Sequence, residues 1–69
     1  MSANETMVQL VKDMETDQIV EVWDTLNQQE TTEETYIIRG VLMDELELRN
    51  EDAFEQWLDS FQDSPRGFF

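Results

Sequence analysis

From Met1 to Ser64 the chain has one glycine, Gly40, and no proline; Pro65 and Gly67 stand together near the C-terminus. Punctuation this sparse argues against β architectures, which need turn residues between short alternating strands. Neither period-two alternation nor turn dipeptides occur over a useful length. The predicted class is all-α, a small three- or four-helix bundle with short connections.

Four stretches carry apolar residues at helical spacing. Met7, Leu10, Val11 and Met14 stand at i, i+3, i+4 and i+7, with Asn4 as the expected N-cap. Ile19, Val22, Trp23 and Leu26 repeat the pattern, with Thr16 as cap and Asp17 placed against the helix dipole. The join at Glu15 and Thr16 fits either a tight corner or one bent helix. Asn27 to Thr31 is a polar run, and Thr31 followed by Glu34 fits a capping box. From Thr32 to about Arg49, Tyr36, Ile37, Ile38, Val41, Leu42, Met43, Leu46 and Leu48 spread over several faces. Such a helix is central to its bundle or shared with a second chain. Gly40 in its middle costs up to about 1 kcal/mol relative to alanine, and the expected reason is close approach of a neighbouring backbone. Glu45 and Arg49 have the favourable order for an i, i+4 ion pair. Asn50 is expected both to end this helix and to cap the next, which carries Phe54, Trp57, Leu58 and Phe61. Residues 1–62 read as a single helical domain and 63–69 as an irregular tail. The terminal Phe68 and Phe69 either fold back onto the core or form a sticky end.

A chain of 69 residues holds one core, and a domain of this size buries only about 60% of its unfolded surface. It contains neither cysteine nor histidine, so no disulfide and none of the usual zinc sites can be built. Regular packing or self-association must stabilise it. The lack of cysteine, of a signal-peptide pattern and of any long apolar segment leads to the expectation of a soluble, cytoplasmic protein.

Seventeen Asp and Glu face four cations, Lys12, Arg39, Arg49 and Arg66, for a formal net charge of -13. Direct nucleic-acid binding needs a basic stripe, which four scattered cations do not make, and anionic membranes are disfavoured for the same reason. Charge magnitudes of about 2 to 8 already serve solubility in a small domain. The excess falls in clusters: Asp13, Glu15, Asp17, Glu21 and Asp24; Glu30, Glu33 and Glu34; Glu51, Asp52, Glu55 and Asp59. These are the candidate partner-binding residues, able to present carboxylates in rows as duplex DNA presents phosphates to a basic protein. Tyr36, Phe68 and Phe69 are the candidate apolar interface of a competing arrangement, a homodimer.

Catalysis usually recruits His, Cys, an activated Ser or Lys, a metal or a phosphate loop. Paired carboxylates remain, but a glycosidase also needs a cleft for its sugar. The expectation is a non-enzyme without cofactor or metal. Asp13 to Asp24 has carboxylates at several positions of a calcium loop, yet Gln18 stands where the loop needs glycine and Asp24 where it prefers a bidentate Glu.

The stretch Arg39 to Leu58, RGVLMDELELRNEDAFEQWL, resembles a block found in small acidic proteins of bacteriophages and conjugative plasmids. There Arg-Gly, an apolar pair, Met-Asp-Glu-Leu and an Arg precede a short aromatic helix. The matching positions are Arg39, Gly40, Leu42, Met43, Asp44, Glu45, Leu46, Arg49, Ala53, Phe54, Trp57 and Leu58, while Glu51 stands where a proline is often found. The resemblance covers less than a third of the chain. It implies a mobile-element origin and carries no catalytic residue. The leading expectation is an accessory protein that modulates a basic, nucleic-acid-binding partner. The alternative is a structural or regulatory homo-oligomer whose charge is merely solubilising.

Overall fold

A computed structural model describes residues 3–69, with side chains from residue 5. It contains four helices, α1 (Ala3–Lys12), α2 (Thr16–Asn27), α3 (Glu33–Arg49) and α4 (Glu51–Ser60), and no strand among the described residues. The protein is a small all-α bundle. Its third helix packs against each of the other three and is the centre of the fold.

Local chemistry sets the boundaries, and in three places it shifts them from expectation. Asn4 lies inside α1, because the helix already includes Ala3, the residue type with the highest helix propensity. Glu15, not Thr16, is the N-cap of α2, and its N–H donates to the side-chain oxygen of Gln18 at 2.9 Å. Thr16 is already the first helical residue, and its hydroxyl is turned to accept from Arg49 at 3.1 Å. The cap of α3 is Thr32, one residue beyond the expected Thr31. Its hydroxyl accepts from the N–H of Thr35 at 3.2 Å, and the Thr35 hydroxyl accepts from the N–H of Thr32 at 2.7 Å. Thr35 is buried, and a buried hydroxyl needs partners that this reciprocal box supplies. Asn50 works in both directions as expected. Its N–H donates to Leu46 at 3.1 Å, closing α3, and its side-chain oxygen accepts from Ala53 at 3.0 Å, opening α4.

The core joins Val11 of α1, Ile19, Trp23 and Leu26 of α2, Leu42 and Leu46 of α3, and Phe54 and Trp57 of α4. Burying each large apolar side chain contributes about 1.5–3 kcal/mol. Trp57 meets Trp23 edge to face at 5.0 Å between centroids, and Phe54 in the same manner at 5.9 Å. Several members of the expected stripes lie outside the core. Leu10, Leu58 and Phe61 are exposed, Phe61 because α4 ends at Ser60 and Phe61 itself turns left-handed with φ 59°. Gly40 is exposed too, and nothing lies within 4 Å of where a Cβ would be, so it accommodates no neighbouring backbone.

After α4 the chain is irregular yet packed. Pro65 is fully buried, and Phe68 and Phe69 are half-buried against the core. Both tryptophans hold this segment by their indole N–H groups, Trp23 to the carbonyl of Asp63 at 2.7 Å and Trp57 to that of Gln62 at 2.9 Å. Asn27 adds a second donor to Asp63 at 3.1 Å.

Candidate functional site

The acidic residues reach the surface from helix starts and outward faces. Asp17 stands in the first turn of α2, Glu33 and Glu34 in that of α3, and Glu51 and Asp52 in that of α4. There each carboxylate faces the positive end of a helix dipole. Asp13, Glu15, Asp17, Glu21, Glu30, Glu33, Glu34, Glu51, Asp52, Glu55 and Asp59 are all exposed. Asp24 differs: it is partly covered and pairs with Arg66 at 2.9 Å. Asp13 accepts from the side chain of Gln9 at 3.3 Å.

The arginines point the other way, onto acceptors within the chain. Arg39 donates to the carbonyl of Leu26 at 3.2 Å, closing the end of α2, and its guanidinium lies 5.7 Å from the Trp23 ring centroid. Arg49 binds Glu45 at 2.8 Å, the expected pair, but also reaches the carbonyls of Val11 and Lys12 and the hydroxyl of Thr16 at 3.1–3.2 Å. Arg66 ties the tail to Asp24. With these three cations engaged internally, few are left to break up the field of the exposed carboxylates.

The bonds of Arg49 also order the surface. They gather the end of α1, the start of α2 and the end of α3 in one place, and Asn50 alone separates α3 from α4. Arg39 meanwhile holds the end of α2 beside an early turn of α3. Helices α2 and α4 therefore both run back along α3 from the same end. Along α4, Glu51, Glu55 and Asp59 form a row at i, i+4 and i+8, a charge about every 6 Å of axis; Asp17 and Glu21 begin a similar row on α2. One strand of duplex DNA carries a charge about every 3.4 Å. Asp13 and Glu15 belong to the Arg49 end, while Glu30, Glu33 and Glu34 lie at the far end of α3, so the sequence clusters divide between the two ends. Grouping acids by proximity in sequence omits Asp44, Glu47 and Asp63, which are also exposed. Only their position on an outward helical face or beyond a helix end distinguishes them.

Of the candidate apolar interface, Tyr36 is 72% exposed, whereas Phe68 and Phe69 belong to the folded-back tail. The segment Asp13 to Asp24 is mostly helical rather than a cation-binding loop. Among the described residues no group of three or more acidic side chains is arranged to hold a metal ion, and no helix is long and apolar enough to cross a membrane. No family of known proteins, no curated protein and no solved structure matches the chain.

Proposed function

We propose that this chain is a non-enzymatic acidic binding protein of a mobile genetic element, working in the cytoplasm, that modulates or inhibits a basic, nucleic-acid-binding protein by occupying its phosphate-binding surface. The observation that carries this reading is the sorting of charge: most carboxylates face outward, Glu51, Glu55 and Asp59 in a row along α4, while Arg39, Arg49 and Arg66 are bonded within the chain. A basic protein surface meeting that row exchanges its counterions for carboxylates as it would for phosphates, which gives fast, salt-sensitive association. The mobile-element origin rests on the resemblance of Arg39 to Leu58.

The competing homo-oligomer is the weaker reading. Phe68 and Phe69 already cover the core of their own chain, which leaves Tyr36 of the three residues proposed for such an interface. Two chains of charge -13 also repel.

The test is affinity capture from bacterial lysate with washes of rising salt, followed by sizing of the protein alone. Capture of a nucleic-acid-binding protein that salt releases and duplex DNA displaces is the expected result. A salt-insensitive partner would sink the phosphate-surface mechanism, and a clean dimer with no salt-sensitive partner would replace it with the homo-oligomer.

A further inference from the structure

Two contiguous hollows share Trp23, Arg39 and Met43, one running along α3 beside Trp23 and the other reaching the end of α4. Tyr36 and Gly40 line one, Leu58 and Phe61 the other. Three of these residues sit there against the preferences of the fold. Gly40 weakens the middle of α3, and no packing within the chain requires it. Phe61 is the one described residue other than glycine with positive φ, at a helix end where glycine is the usual occupant, and it leaves 93% of its surface in solvent. Tyr36 is exposed as well. Unfavourable choices that converge on one trough point to something outside the chain that fills it.

The geometry suits a helix. Tyr36, Gly40 and Met43 follow at i, i+4 and i+7, a ridge interrupted by a glycine, where a second helix can approach closely. The same row continues to Glu33 on one side and Glu47 on the other, both exposed, and the exposed Asp63 lines the hollow beyond the end of α4. Carboxylates thus border a floor that is apolar apart from Arg39, whose guanidinium is turned onto the Leu26 carbonyl and the Trp23 ring. A second copy of this chain would bring identical acids against them, so charge selects a basic occupant.

We propose that this trough docks a basic amphipathic helix of a partner protein, its apolar face on Tyr36, Gly40, Met43, Leu58 and Phe61 and its lysines or arginines against Glu33, Glu47 and Asp63. The proposal rests on the basic-partner reading above and adds to it an apolar anchor beside the salt-sensitive charge contacts.

The probe is a synthetic Leu/Lys peptide with leucines at i, i+3, i+4 and i+7, titrated calorimetrically into the full chain. Its controls are a scrambled peptide of the same composition and a Leu/Glu peptide of the same pattern. Two variants separate docking from folding. Gly40→Leu fills the trough with a good helix former, and Phe61→Gly removes the ring while restoring glycine to a left-handed position. The patterned peptide should bind, with the scrambled peptide and both variants at least about tenfold weaker and the variants keeping their helical circular dichroism. Equal binding by the scrambled peptide, or undiminished binding by both variants, would overturn the trough and leave the acidic-surface reading standing. Equal binding by the Leu/Glu peptide would overturn the basic occupant and that reading with it. A concentration-dependent dimer that Gly40→Leu abolishes would seat a second copy in the trough and overturn the proposal.

Discussion

The indole N–H of Trp23 donates to the backbone carbonyl of Asp63 at 2.7 Å, across 40 residues of sequence. Trp57 binds the preceding carbonyl, that of Gln62, and the two rings meet edge to face. A pair of packed core residues therefore holds two successive carbonyls of the C-terminal segment. This makes the tail a structural element rather than an appendage.

Removing residues 63–69 takes away the acceptor of a largely buried indole, a loss of about 1–3 kcal/mol, and uncovers the apolar surface beneath Pro65, Phe68 and Phe69. The truncated chain should lose about 3 kcal/mol or more in total. Urea denaturation checks this, with a red-shifted tryptophan emission expected in the folded state. An unchanged midpoint would mean that the tail contributes nothing.

Arg49 joins one end of the bundle through four acceptors on three helices. Lysine keeps the charge but lacks the planar fork that reaches them together. Arg49→Lys should cost about 1–2 kcal/mol and Arg49→Ala about 2–3 kcal/mol. Glu45→Ala should cost less than either, because an i, i+4 pair alone contributes about 0.3–0.5 kcal/mol. Chemical denaturation of the three variants tests the order, and equal losses for Glu45→Ala and Arg49→Ala would reduce the role of Arg49 to that pair.

What could be read from the sequence was local. Asn50 serves two helices because a cap depends on residues three or four positions away, and the apolar positions Phe54 and Trp57 are buried because α4 is regular between them. Periodicity failed where regularity ends: Phe61 continues the stripe of α4 on paper but follows the last helical residue and turns outward. Thr16 looked like a cap because the bond to which its hydroxyl is turned comes from Arg49, 33 residues away. The acidic candidates were legible as exposed residues because charge seldom tolerates burial. The row of Glu51, Glu55 and Asp59 follows from their spacing, but which clusters share an end of the bundle depends on how the helices are arranged and was not legible, and neither was the pairing of Asp24 with Arg66 across 42 residues.

Gly40 is an exposed mid-helix residue with open space around its missing Cβ. Gly40→Ala should therefore stabilise the protein by about 0.5–1 kcal/mol, by restricting the unfolded backbone and improving helix propensity. A rise in the denaturation midpoint is expected. A fall would reveal a close contact at that position.

Phe61 holds φ 59° at the end of α4 while its side chain gains almost no cover. Its left-handed backbone costs an ordinary residue roughly 1–2 kcal/mol, and glycine far less. Phe61→Gly should raise stability by about 1 kcal/mol after allowing for the greater freedom of glycine in the unfolded chain. A loss of stability would show that the exposed ring does pack in solution.

Charge should make stability depend on salt in a direction that can be argued from the pairs present. Among the described residues two ion pairs are seen to attract, Glu45 with Arg49 and Asp24 with Arg66, and the second is weak because the Arg66 side chain is 64% exposed. Against them stands the mutual repulsion of carboxylates in a chain of net charge -13. Screening weakens both, and repulsion is the larger sum, so the melting temperature should rise with added sodium chloride. Most of the rise should come by about 0.15 M, where the Debye length is already about 8 Å. That shape separates screening from the exclusion of salting-out ions, which keeps strengthening apolar burial at higher concentration. A melting temperature that falls over the first increments of salt would mean that the attractive pairs dominate, and the outward carboxylates would then be too dispersed to act as a row.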